Sequence, residues 1–435
     1  MLIWIKDGEI VDPAKDVVEK RDVLVEQGRI SRILPPGVFR EKGRQIRIIN
    51  AAGKIVVPGL IDMHVHLREP GHEYKETIAT GGKAGVAGGF TGVACMPNTD
   101  PVNDNRTVTE FILEQARRAN LLKVYPIAAI TKQQKGEVLS NFSELRNVGA
   151  VGVSDDGFPV SNSLIMQRAI KNAHEHHLVI ISHCEDRNLS KSGVMHEGTV
   201  SARIGLPGIP AASEVSMVER EISLSKNTGY PVHIAHVSTG GSVDAIRKAK
   251  EQGVPVTAET APHYFSLDHT AVIGFNTNTK MNPPLRTHED VLAIKAGLAE
   301  DVIDVIATDH APHSPLEKDL AFDKAAFGII GLETAVPLTL ALLREGTLTL
   351  SAAIRKLSYN PANILGVEGG SLYENGPADL AVIDPEYEYV LTSEDLHSKS
   401  KNSPFIGQSM RGVNTLTMIG GQIVWERDAA DLSGG

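Results

Sequence analysis

The chain has 435 residues, 42% hydrophobic and 22% charged, with a formal net charge of −10. That balance suits a globular protein with one large core and an accessory domain. It offers no basic stripe for nucleic acid, and no apolar stretch approaches the ~20 residues that span a bilayer. The opening MLIWIKDGEIVD lacks the basic, apolar and small-residue zones of a secretory signal. Cys95 and Cys184, the only cysteines, form neither a disulfide framework nor a zinc ribbon. The expected location is cytoplasmic.

Residues 1–55 carry short β-prone runs (MLIWIKDG, DVLVEQGRISRIL, QIRIINA) separated by turn residues. From 56 to 365, apolar strand-like runs alternate with amphipathic stretches. The strands are expected in IVVPGLIDMHVH, FTGVACMPN, KVYPIAAIT, AVGVSDD, LVIISHCE, PVHIAHVS, VPVTAETAP and DVIATDH. Helices are expected in NRTVTEFILEQARRAN, NSLIMQRAIKNAHEHH, SEVSMVEREISLSKNT and GSVDAIRKAKEQG. Short β runs return in 366–435 as ADLAVIDP, NTLTMIGG and QIVWERD. Eight alternations over about 310 residues predict an α/β fold, a (β/α)8 TIM-like barrel rather than an open sheet. The two β-rich ends are expected to meet as one small composite β domain.

Active sites of such barrels lie at the carboxyl ends of the strands. There the first strand places His64 and His66, which share a face because strand side chains alternate. The fourth strand ends in Asp155-Asp156-Gly157, the fifth in His183, the sixth in His236 and the eighth in Asp309, with His310 and His313 following. Imidazoles and carboxylates on one rim suit zinc or a similar divalent ion. One of Asp155 and Asp156 is expected to serve a turn or cap instead. His233 is assigned to packing and His263 is left open. His174, His176, His177, His196, His269 and His288 are read as solvated.

The motifs DMHVHLREPG, MPNT, SDDG, ISHCED, HIAHVS, MNPPLR, ATDHAPH and the pair Phe327-Gly328 resemble those of the dihydroorotases of the amidohydrolase superfamily, in particular the bacterial type I enzymes. These matches run from the first strand to NSPFIG near the C-terminus. The resemblance implies metal ligation by His64, His66, Asp156, His183, His236 and Asp309, with Asp309 also catalytic. It implies substrate contacts from His66, Arg68, Asn98, Asn282, His313 and the backbone at Phe327 and Gly328. Many superfamily members bridge two metals with a carboxylated lysine after the fourth strand. Here an aspartate, Asp156, stands there, so one or two zinc ions fit, with two favoured and Asp156 as the bridge.

The implied reaction is reversible cyclisation of N-carbamoyl-L-aspartate to L-dihydroorotate in pyrimidine biosynthesis. Cyclisation neutralises one carboxylate and consumes a proton, so the equilibrium should move toward dihydroorotate as pH falls, measurable by product ratio across pH. Arg68 can offer a carboxylate a two-pronged seat. Residues 310–328 read as a long polar loop closing over substrate. The resemblance leaves room for a homodimer and for a complex with aspartate transcarbamoylase. Competing readings are a hydantoinase, dihydropyrimidinase or allantoinase, or a non-catalytic partner of the transcarbamoylase.

Overall fold

The computed structural model describes residues 2–40 and 45–427. Eight parallel strands, in spatial order identical to chain order, run Leu60–Val65, Phe90–Cys95, Lys123–Ala128, Gly152–Val153, Val179–Ser182, Val232–Ile234, Val256–Thr260 and Val305–Ile306. A parallel bridge between Val65 and His310, with the His66 amide donating to the His310 carbonyl at 2.9 Å, joins the eighth strand to the first and closes the barrel. Ile61, Met63, Ala94, Ile127, Ile181, Ala235 and Val305 form one buried cluster drawn from strands all around it.

The four expected helices form at Arg106–Ala119, Ser163–Glu175, Ala212–Thr228 and Gly240–Glu251. Asn105, Asn162 and Thr239 start three of them by accepting hydrogen bonds from first-turn amides, which otherwise lack partners. Gly229, at φ 74°, ends the Ala212–Thr228 helix in the left-handed region where glycine carries no Cβ penalty. Among the described residues no helix is long and apolar enough to cross a membrane.

The run IVVPGLIDMHVH, expected as one strand, is two. Ile55–Pro58 pairs with Leu380–Val390 and Leu2–Asp12 in the small sheet, and Leu60–Val65 begins the barrel. Gly59 separates them, and a Cβ there would collide with Thr91 of the second barrel strand. The small sheet runs Gln422–Glu426, Ser409–Ile419, Leu380–Val390, Ile55–Pro58, Leu2–Asp12, Val17–Glu26, Arg29–Leu34, with Ile46–Asn50 also on Leu2–Asp12. Both ends of the chain therefore share one sheet, over a core that includes Ile5, Ile10, Val23, Val56, Leu380 and Met418.

Candidate metal centre and active site

His64, His66, Asp156, His183, His236 and Asp309 converge at the carboxyl end of the barrel, all buried. Their donor atoms form two triads, His64–His66–Asp156 and Asp156–His183–His236, with Asp156 common to both. Asp156 Oδ1 lies 3.5 Å from His64 Nε2, 3.4 Å from His183 Nδ1 and 3.4 Å from His236 Nε2, and Oδ2 lies 3.5 Å from His66 Nε2. Asp309 Oδ1 sits 3.1 Å from His66 Nε2 and 3.5 Å from His64 Nε2. Burial opposes ionisation of both aspartates, but the adjoining imidazoles, His64 foremost, outweigh it and hold both below the usual carboxylate range.

This donor set fits a divalent ion. His64 Nε2 is buried without a hydrogen-bond partner, an expensive condition unless something else takes its lone pair. Three of the histidines are turned by oxygen atoms behind them. His64 Nδ1 donates to Glu259 Oε1 at 2.6 Å, His66 Nδ1 to Asn98 Oδ1 at 2.8 Å, and His183 Nε2 to Glu185 Oε2 at 3.2 Å. In each case the opposite ring nitrogen faces the carboxylates, the arrangement by which metal-binding imidazoles are oriented. Of the aspartate pair, Asp155 is the structural one: it accepts from the Thr131 amide at 3.1 Å and from the Thr131 hydroxyl.

A cavity of about 570 Å³ opens over the cluster, ample for a small cyclic amide. Arg68, Asn98, Asn282, His313 and Phe327 line it beside the metal-type residues. Arg68 Nε donates to the Pro312 carbonyl at 3.1 Å and Nη2 to His313 Nε2 at 3.3 Å, which aims the guanidinium into the cavity. Burial, and then Arg68 itself, push His313 down to about 2, so the imidazole is neutral at physiological pH. Asn282 Nδ2 donates to Glu185 at 3.3 Å. Arg68, His236 and Asp309 all hold positive φ, at 62°, 34° and 47°, a strain that clusters at functional sites.

Gly328 is not brought to the cavity wall. Its amide donates to the Lys280 carbonyl at 2.9 Å, and its own carbonyl accepts from Lys318 Nζ and Asn402 Nδ2, each at 3.0 Å. At φ 154° it passes so close to the wall that a Cβ would meet Ala311 O at 2.6 Å and the His313 ring at 2.7 Å. Residues 310–328, expected as a long polar loop that closes over substrate, are not one structureless loop. A short helix, Pro315–Lys318, and the buried Lys318 Nζ, which donates to the Ala326 and Gly328 carbonyls, tie the segment down.

Of the other histidines, His196 departs from its expected place. His196 is buried against Arg286 rather than solvated. His263 is buried too, and burial pushes it down to about 4. His233, assigned to packing, bonds Glu259. Glu185, Arg187 and Lys191, from the segment after the fifth strand, line the cavity and were not foreseen; Glu259 was missed as well. The apolar run ending in HCED could have pointed to Glu185, which lies two residues beyond His183.

A family profile described as Dihydro-orotase-like matches residues 53–242. Proteins named dihydroorotase from Geobacter metallireducens and Syntrophus aciditrophicus are 51% and 48% identical, each over 98% of this chain and all of the relative. The chain belongs to the dihydroorotase family. Among solved structures, this dihydroorotase-family fold superimposes on the L-hydantoinase of Arthrobacter aurescens with a TM-score of 0.85 at 24% identity, over 98% of this chain and 96% of that one. A dihydropyrimidinase from Brevibacillus agri gives 0.85 at 22%, over 98% and 95%. At that identity these two share the barrel architecture and speak to nothing finer.

Proposed function

We propose that this family member is a dihydroorotase, interconverting N-carbamoyl-L-aspartate and L-dihydroorotate, and that zinc would be held by the two triads, which have Asp156 in common. The observation that carries the reading is the cationic seat beside the metal-type cluster: Arg68, flanked by Asn98 and His313, suits the carboxylate that dihydroorotate bears and hydantoin and dihydrouracil lack. The zinc would be held by His64, His66, Asp156, His183 and His236. When bound it supplies a Lewis acid for the ring carbonyl and lowers the pKa of water.

The chain's own residues perform the rest. Asp309, held ionised by His64 and His66, accepts a proton from the attacking water as the ring is opened. It returns that proton to the leaving amide nitrogen as the C–N bond breaks; cyclisation runs the same transfers backward. Asn98, whose Oδ1 accepts from His66, has its amide N–H groups left to offer the ring carboxylate beside the Arg68 charge, His313 holds the Arg68 guanidinium through Nε2, and Asn282 lines the wall beside Glu185. We further divide the chain into a barrel and a β domain. The expected boundary at 56 moves to Leu60, because Ile55–Pro58 pairs in the small sheet. That leaves 60–365 to the barrel and 1–59 with 366–435 to the β domain, residues 1, 41–44 and 428–435 lying outside the described residues.

Side-by-side assays of dihydroorotate, hydantoin and dihydrouracil test the reading; equal or better turnover of either of the last two would overturn it. In Arg68→Met, kcat/KM for dihydroorotate should fall about 10- to 150-fold, the worth of a charge-assisted hydrogen bond of roughly 1.5–3 kcal/mol. Zinc content should not change.

A further inference from the structure

Glu259 lies within the seventh barrel strand, buried, and is absent from the cavity wall, so it cannot touch substrate. A carboxylate there costs desolvation that an apolar side chain would not. Both its oxygens are nonetheless engaged. His64 Nδ1 donates to Oε1 at 2.6 Å, and His233 Nε2 donates to Oε2 at 3.1 Å. His233 Nδ1 in turn lies 2.8 Å from the Thr257 hydroxyl.

An ionised carboxylate only accepts hydrogen bonds, so both imidazoles donate to Glu259. His233 donates through Nε2, and the Thr257 hydroxyl against its Nδ1 holds the ring in place. With Nδ1 donating to Glu259, His64 turns Nε2 toward the cluster, and a metal ion bound there would take that nitrogen's lone pair. His64 Nε2 is buried without a hydrogen-bond partner, 3.5 Å from both Asp156 and Asp309. We propose that Glu259, braced by His233 and Thr257, is a positioning residue that locks His64 in the tautomer and orientation a metal ion requires. The proposal rests on the zinc-dependent reading above.

The test is zinc affinity, measured by competition with a chromophoric chelator, in the full-length protein. Glu259→Ala should bind zinc about 10- to 100-fold more weakly, and its lost activity should return when zinc is added in excess. Glu259→Gln, whose amide oxygen can still accept from Nδ1, should lose less. In zinc-loaded protein with labelled histidines, the downfield Nδ1 proton of His64 should be present in the parent and absent in Glu259→Ala. Affinity within twofold of the parent, or activity that added zinc does not restore, would overturn the proposal. Should Glu259→Ala fail to fold, Glu259→Gln and Thr257→Val carry the same comparison, each expected to weaken binding by a few-fold, and unchanged affinity in both would also overturn it. Affinity decides the matter whether or not the parent turns over carbamoyl aspartate, so the two readings fail separately.

Discussion

Asp309→Asn is expected to slow carbamoyl aspartate cyclisation by roughly 10²- to 10⁴-fold, the usual contribution of a positioned acid–base group, while bound zinc persists. Asp309 belongs to neither triad of mutually close donors; it contacts them only at their edge, 3.1 Å from His66 Nε2. Asparagine keeps the size and one acceptor oxygen but cannot take up and return a proton. Turnover measured alongside metal analysis of the same preparation separates the two roles. Activity and zinc lost together would make Asp309 chiefly a ligand.

Asp156→Ala should have the opposite signature, with zinc lost first and activity lost in consequence. One carboxylate faces four imidazoles at 3.4–3.5 Å, so its removal dismantles both triads at once. Loss of a group that merely orients a ligand costs about 10- to 100-fold in metal affinity, and loss of a shared ligand should cost more than about 100-fold. Metal content after dialysis against a weak chelator reads this directly. A full zinc complement in the variant would rule out the shared role.

The barrel was legible in the sequence because its strands are apolar runs separated by amphipathic helices with clear caps. The rim residues were legible because a strand end is easily located, and His64 and His66 share a strand at the i, i+2 spacing. Gly59 was not legible. The apolar run IVVPGLI is buried continuously on both sides of it, so hydrophobicity alone could not show that the chain leaves one sheet for another. Glu259 was hidden for a different reason. Within VTAET its side chain could equally face solvent, and its partners His64 and His233 stand 195 and 26 residues before it in the chain. His196 was misread because Arg286, which covers it, lies 90 residues further along. Choosing between Asp155 and Asp156 likewise needed Thr131, on a neighbouring loop, to claim one of them.

The shared sheet at the chain's two ends has a consequence for synthesis. Ile55–Pro58 finds its antiparallel partner only in Leu380–Val390, with Ile55 opposite Ile383. At about 5–20 residues per second, a ribosome needs on the order of 20–60 s to deliver that partner after the first strands emerge. Throughout that interval Ile55–Pro58, paired on one side with Leu2–Asp12, has its other edge unpaired, the kind of edge on which nascent chains associate with one another. Crowding of polysomes, rather than the chemistry at the barrel rim, is thus where this architecture is most exposed during expression.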